Sequence, residues 1–240
     1  MSIVKFEDYN IDKLNFEHLP PNSKKKSSQT ILFPNYDGGM SPLIQIPNIE
    51  LNNYGIPSRC DLFKEDWQRH FIKIPLDGDD DYIKSFVVWL KNIDKKMNTP
   101  EIKEKIFNKK NAKCCYQPLF KVVLDDEDKI VPNKPPYLKL KMATKYPSNE
   151  ITTSVFINNP DDTKNLITDI TTIDDVAEYI KFKSKVKCVL LPSKCWIMNP
   201  ITPNGDSLYG LTFKLVKVMV TPPTKYNSFY NSEDVEFIED

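Results

Sequence analysis

Two histidines, His18 and His70, are all that the 240 residues hold. A Ser-His-Asp or Cys-His site would have to be built on one of them, and neither lies near a nucleophile motif. The phosphate-cradling GxxxxGK(S/T) loop, the dinucleotide fingerprint GxGxxG, the zinc signature HExxH and the CxxC pair are all missing. The five cysteines (Cys60, Cys114, Cys115, Cys188, Cys195) are an odd number, and Cys114 and Cys115 are adjacent. Adjacent cysteines are wrongly spaced for two ligands of one zinc knuckle. Free thiols in a reducing compartment are the expectation, with an approach of Cys188 to Cys195 across a kink at Pro192 as the alternative. The acidic run from Asp77 to Asp81 lacks the spaced ligands and distal Glu of a calcium loop. These shortages argue against an enzyme: no catalytic residue, no cofactor and no metal is expected.

No apolar run reaches the ~18 residues of a membrane span. Residues 1–10 carry acids and lack the apolar stretch of a secretory signal. An intracellular protein with no membrane partner is expected. Arginine is also scarce: Arg59 and Arg69 stand against a lysine at every other basic position. Lysine is a point charge suited to phosphate, whereas bidentate reading of guanine usually falls to arginine. Any nucleic-acid contact should therefore be blind to sequence. No internal repeat is visible.

What the chain does have is segregated charge. The formal net charge is zero, yet residues 179–220 hold seven lysines against one acid, Asp206. Residues 232–240 hold five acids and no base. Segregation says more about partners than the total does.

Periodicity outlines the elements. Residues 30–47 read as a hairpin about Asp37-Gly38-Gly39, whose residues supply the positive φ that tight turns demand. Residues 67–74 read as a strand. Ile83, Phe86, Val87, Leu90, Ile93 and Met97 form the apolar stripe of a helix opened by the acidic run. Thr99-Pro100-Glu101 starts a second helix, and Thr172 with Asp175 a third. Residues 116–124, 137–143 and 151–157 read as strands, and 158–171 as loop. Residues 179–198 and 208–220 read as a long hairpin about a loop at 199–207. In its second half Leu211, Phe213 and Leu215 share one parity and Val216, Val218 and Val220 the other. Such a slip at Leu215–Val216 predicts a β-bulge, which bends a strand as small barrels require. The fold expected is mainly β (α+β): an antiparallel barrel with inserted helices. It spans residues 29–222, between a loosely held N-terminal arm at 1–28 and an acidic tail at 223–240.

Lys181, Lys183, Lys185 and Lys187 recur at every second position, which in a strand puts four ammonium groups on one face. Lys139 and Lys141 repeat that pattern beside Tyr137. Lys194 and Lys214 extend it along the closing hairpin, together with Trp196 and Tyr209. Sequence-independent binding of single strands needs this pairing of cations for phosphates with aromatic faces for bases. Trp196 could equally be core. Phe213 is expected in the core, by its parity with Leu211 and Leu215. Lys24–Lys26 could touch phosphate or serve only solubility. The acidic tail, with Phe237, could compete for the basic face or dock partner proteins, or be a solvated terminus.

The layout resembles the OB-fold single-stranded-DNA-binding proteins of nucleocytoplasmic large DNA viruses, over roughly residues 29–220. The matching pieces are ILFPNYDGGMSPLIQI, PLDGDDDYIKSFVVWLKNI, PPYLKLKMATKYPS and TTIDDVAEYIKFKSKVKCVLLPSKCWIMNPITPNGDSLYGLTFKLVKVMV. The acidic tail is also similar to those of bacterial and phage single-strand binders, though it runs past Phe237 through Ile238, Glu239 and Asp240. The resemblance implies an OB-like fold and a non-enzymatic protein that coats single-stranded DNA in viral replication, recombination or repair. It implies work in the host cytoplasm or the virion, with viral replication proteins as partners of the tail. A viral scaffold protein, or a protein-binding accessory factor without nucleic-acid contact, is the alternative.

Overall fold

The structure, a computed structural model, describes residues 2–17, 29–109, 112–159, 163–198 and 205–223. Among them the chain runs β1 (Ile3–Lys5), β2 (Leu14–Glu17), β3 (Gln29–Tyr36), β4 (Leu43–Glu50), β5 (Phe71–Pro75), α1 (Asp81–Met97) and α2 (Pro100–Phe107). It continues through β6 (Cys114–Tyr116), β7 (Tyr137–Met142), β8 (Ser154–Asn158), β9 (Lys164–Ile167), α3 (Ile173–Tyr179), β10 (Lys185–Met198) and β11 (Ser207–Thr221). The fold is mainly β, a barrel-like α+β body built on one mixed sheet. No helix among the described residues is long and apolar enough to cross a membrane.

The centre is the hairpin of β10 and β11, paired from Lys185–Thr221 to Met198–Leu208. Val189 faces Lys217 and Leu190 faces Leu215, so Val216 is the extra residue of a bulge, at the position the parity slip marked. A second irregularity passes over Ser193, between the Pro192–Phe213 and Lys194–Thr212 pairs.

The expected hairpin at residues 30–47 does not form. Asp37 and Gly38 do take positive φ, +55° and +77°, and Tyr36 and Gly39 exchange backbone hydrogen bonds of 2.9 and 3.0 Å. Beyond that turn the strands part. β3 pairs with residues 195–198 of β10, and β4 with residues 185–190, so they lie end to end along one edge. Nor is the sheet wholly antiparallel. β6, β7 and β8 each run parallel to β11, and β1 parallel to β4. Each of those three strands reaches β11 across a connection long enough to return the chain in the same direction.

The loosely held arm is also corrected. Phe6, Tyr9, Leu14 and Phe16 are buried in the common core. Phe6 packs against Tyr82, Phe86 and Trp89 of α1 at ring distances of 5.1–6.0 Å. Four apolar residues at irregular spacing gave no periodic signal, yet each stabilises by roughly 1.5–3 kcal/mol once covered. Residues 18–28, with Lys24–Lys26, and the acidic tail beyond residue 223 lie outside the described residues.

The helices follow their sequence signals. The Asp80 carboxylate accepts the Tyr82 N–H at 2.6 Å at the head of α1, which buries Phe86, Trp89, Leu90, Ile93 and Met97. The Thr99 hydroxyl accepts the Ile102 N–H of α2, and Thr172 and Asp175 form a capping box on α3. Three strand readings shift. Residues 66–69 form a 3-10 turn, so only the later part of 67–74 is strand, as β5. β9 lies inside the segment read as loop. Strand β6 ends at Tyr116, because Pro118 follows and the Asp94 carboxylate takes the Leu119 and Phe120 N–H groups at 2.8 and 3.0 Å.

Candidate nucleic-acid interface

The outward face of β5, β7, β11 and the second half of β10 collects the cations. Strand alternation buries Ile72, Ile74, Leu138, Leu140 and Met142 and turns Lys73, Tyr137, Lys139 and Lys141 outward, while Phe71, on the same parity, is buried beneath Lys139 and Phe63. Register then sets like against like. Lys73 lies opposite Lys139 across β5 and β7, and Lys141 lies opposite Lys214 across β7 and β11. Like charges directly opposite destabilise a sheet.

Three adjoining clefts run over this face. The first is lined by Lys121, Lys139, Lys141, Lys194 and Trp196, walled by Gln117, Pro118 and Leu119. The second shares Lys139, Lys141 and Lys194 with it and adds Lys214, His70 and Trp67. The third is reached past Phe71 and holds Tyr54, Lys73, Lys181 and Phe182. Among the described residues no Asp or Glu lines any of them. None of Lys73, Lys121, Lys139, Lys141, Lys194 and Lys214 forms an ion pair with a described carboxylate.

Aromatic rings interleave with the ammonium groups. Lys139 Nζ lies 3.7 Å from the centre of the Phe71 ring, and Lys73 Nζ 4.5 Å from that of Tyr137. Tyr54 and Tyr137 meet at 5.3 Å, and the Tyr54 hydroxyl donates to the Pro135 carbonyl at 2.7 Å. Trp67 and Phe182 are 62% and 64% exposed. Trp196 is half-buried and lies over Gly210, its partner across the hairpin.

The electrostatics record the crowding. Burial pushes the Lys139 ammonium down to about 8, helped by the like charges of Lys141, Lys73 and Lys121. Lys194 is lowered by burial, then by Lys141 and Lys214. Burial lowers Lys73 and Lys121, the latter opposed by Asp94. Burial also lowers His70. The clefts are thus a concentrated, partly desolvated positive field facing solvent.

Most of the expected site residues come together here: Tyr137, Lys139, Lys141, Lys194, Trp196 and Lys214 on the shared face, with Lys181 at its far end. Tyr209 does not. It is fully buried and its hydroxyl donates to the Met97 carbonyl at 2.9 Å, so it belongs to the core, as Phe213 does. The four-lysine row also breaks. Residues 181–184 form a turn between α3 and β10, with Lys183 at φ +63°, so Lys181 and Lys183 share no strand with Lys185 and Lys187. The backbone there is held by the Lys183 N–H donating to the Leu51 carbonyl at 2.8 Å. Lys185 and Lys187 do stand outward on β10, but line none of the three clefts.

Tyr54, Phe71, Lys73, Lys121, Trp67 and Phe182 were missed. Phe71-Ile72-Lys73-Ile74 carries the same alternation as Tyr137-Leu138-Lys139-Leu140, so Phe71 and Lys73 could have been found by that rule. Trp67, Lys121 and Phe182 fall in stretches read as strands that fold as a 3-10 turn, a connection and a turn, so alternation misassigns them, and Tyr54 lies in an irregular segment without periodicity. No protein-family model and no curated protein matches this chain.

Proposed function

We propose that this protein binds single-stranded nucleic acid without sequence preference. Ammonium groups of the three clefts track phosphates while Trp196, Tyr137 and Tyr54 offer faces to bases. The observation that carries the reading is the pair of cross-strand lysine register positions, Lys73 opposite Lys139 and Lys141 opposite Lys214, on a face lined by no described carboxylate. A sheet that opposes lysines with no carboxylate between them has a polyanion as its natural counter-charge. Each stacked base adds roughly 1–3 kcal/mol, and each neutralised phosphate adds salt-dependent affinity. Single strands are favoured because Trp196 sits inside a cleft, where a base locked in a duplex cannot reach its ring. In the setting that the family resemblance implies, the protein coats viral DNA during replication, recombination or repair, and the acidic tail meets replication proteins.

Anisotropy titrations of oligo-dT and of duplex, each at two salt concentrations, test this. Tighter binding of oligo-dT, weakening steeply with salt, is expected. Equal binding of both forms, or no salt dependence, removes the reading and leaves a scaffold or protein-binding role.

A further inference from the structure

The first cleft is more cationic than the interior of a strand requires. Its volume is about 290 Å³, near the lower end of the ~300–1,000 Å³ typical of small-molecule sites and suited to one nucleotide. Four lysines, Lys121, Lys139, Lys141 and Lys194, line that space beside Trp196. A strand interior brings one negative charge per nucleotide. Among the described residues, the acid that acts on Lys121 is Asp94, whose oxygens already accept from the Tyr116 hydroxyl and the Leu119 and Phe120 N–H groups, and none is recorded against Lys139 or Lys194. The site therefore has little counter-charge of its own.

We propose that this cleft binds a phosphate monoester or polyphosphate carried by a nucleotide, with Trp196 under the base and the lysines around the phosphates. Two sources share that chemistry: the phosphorylated end of a strand, and a free nucleoside triphosphate. The first rests on the strand-binding reading and the second does not. A dianion or tetra-anion relieves the mutual repulsion of four lysines more fully than an interior diester does. The Lys139 ammonium is depressed first by burial and then by the like charges of Lys141, Lys73 and Lys121. Lysine suits the role, since it meets phosphate oxygens as a point charge without imposing a fixed fork.

The test uses the full chain and labelled oligo-dT carrying a terminal hydroxyl or a terminal phosphate at either end, with dTTP as competitor. A phosphorylated end is expected to bind about tenfold tighter, the scale of one added charge-assisted hydrogen bond. Displacement by dTTP is expected as well, with both effects lost in K139Q/K194Q and kept in K185Q/K187Q. Equal affinity for hydroxyl and phosphate ends, with no displacement by dTTP, overturns the inference and leaves strand binding standing. Binding of dTTP without binding of any oligonucleotide supports the inference and removes the strand-binding reading. A preference that survives in folded K139Q/K194Q overturns the assignment to this cleft. The wild-type comparison of ends decides the matter even if that variant does not fold.

Discussion

Trp196 faces Gly210 across the β10–β11 hairpin, and a methyl group built on Gly210 would meet the indole Cζ2 at 2.8 Å and the Gln117 carbonyl oxygen at 3.2 Å. The glycine makes room for the ring to lie against the strand, leaving Trp196 to line the first cleft. Gly210→Ala should therefore act as a Trp196 variant. Overpacking should cost about 1–3 kcal/mol of stability. Loss of the stacking platform should weaken oligo-dT binding by about 5- to 100-fold, as Trp196→Ala should. Thermal melts and anisotropy titrations read the two effects separately. Unchanged affinity in Gly210→Ala would place the stacking surface elsewhere.

The lysines of the clefts should matter and those of the first half of β10 should not. In K139E/K194E the affinity for oligo-dT should fall at least thirtyfold, and the salt slope by about 1.4, or 0.7 for each lost phosphate contact. In K185E/K187E it should stay within about threefold, since neither lysine lines a cleft and exposed charges are screened by salt. Sequence reasoning expects Lys183, Lys185 and Lys187 to matter as much as Lys139 and Lys194, so the two variants separate the two lysine groups that the sequence placed on one site.

Lys139 gives the binding a pH signature. Its folded value near 8 lies below the ordinary 10.5 of lysine, so between those values the folded state holds fewer protons than the unfolded chain. Its contribution is accordingly destabilising below pH 8 and fades as pH rises towards 10.5. Binding runs the other way. A phosphate favours the ammonium form, so complex formation takes up a proton above pH 8 and affinity should drop between pH 8 and 9.5. Lys139→Arg, charged throughout, should flatten that drop in the same titration.

Phe6 tests the N-terminal correction. Its ring is buried against Tyr82, Phe86 and Trp89, so Phe6→Ala should cost about 3–5 kcal/mol. In a chain of this size that lowers Tm by about 6–20 °C. A loosely held arm would leave the melt unmoved.

The difference between what could and could not be read follows the range of each interaction. Asp80, Thr99 and Thr172 cap their helices within three residues, and the Val216 bulge shows as a change of parity inside one strand. Lys139 and Lys141 were found because alternation is local too. The register that sets Lys73 against Lys139 joins strands more than sixty residues apart, and nothing near either lysine announces it. Asp37-Gly38 misled for the same reason. The turn is built as its residues dictate, but what β3 and β4 then pair with is settled by β10. Tyr209 looked like a binding aromatic, and its place in the core depends on Met97, at the end of a helix that the alternation of β11 cannot see.

Strand β10 carries β3 and β4 along one edge and β11 along the other. During synthesis that arrangement has a cost in time. β4 ends at Glu50, whose partner is Lys185, so β3 and β4 each wait with an open edge for a strand made much later. Loop closure across that distance is slow as well as late. The sheet should therefore assemble only once β10 has been made, and until then the nascent chain exposes unpaired strands to chaperones and to its neighbours on the polysome.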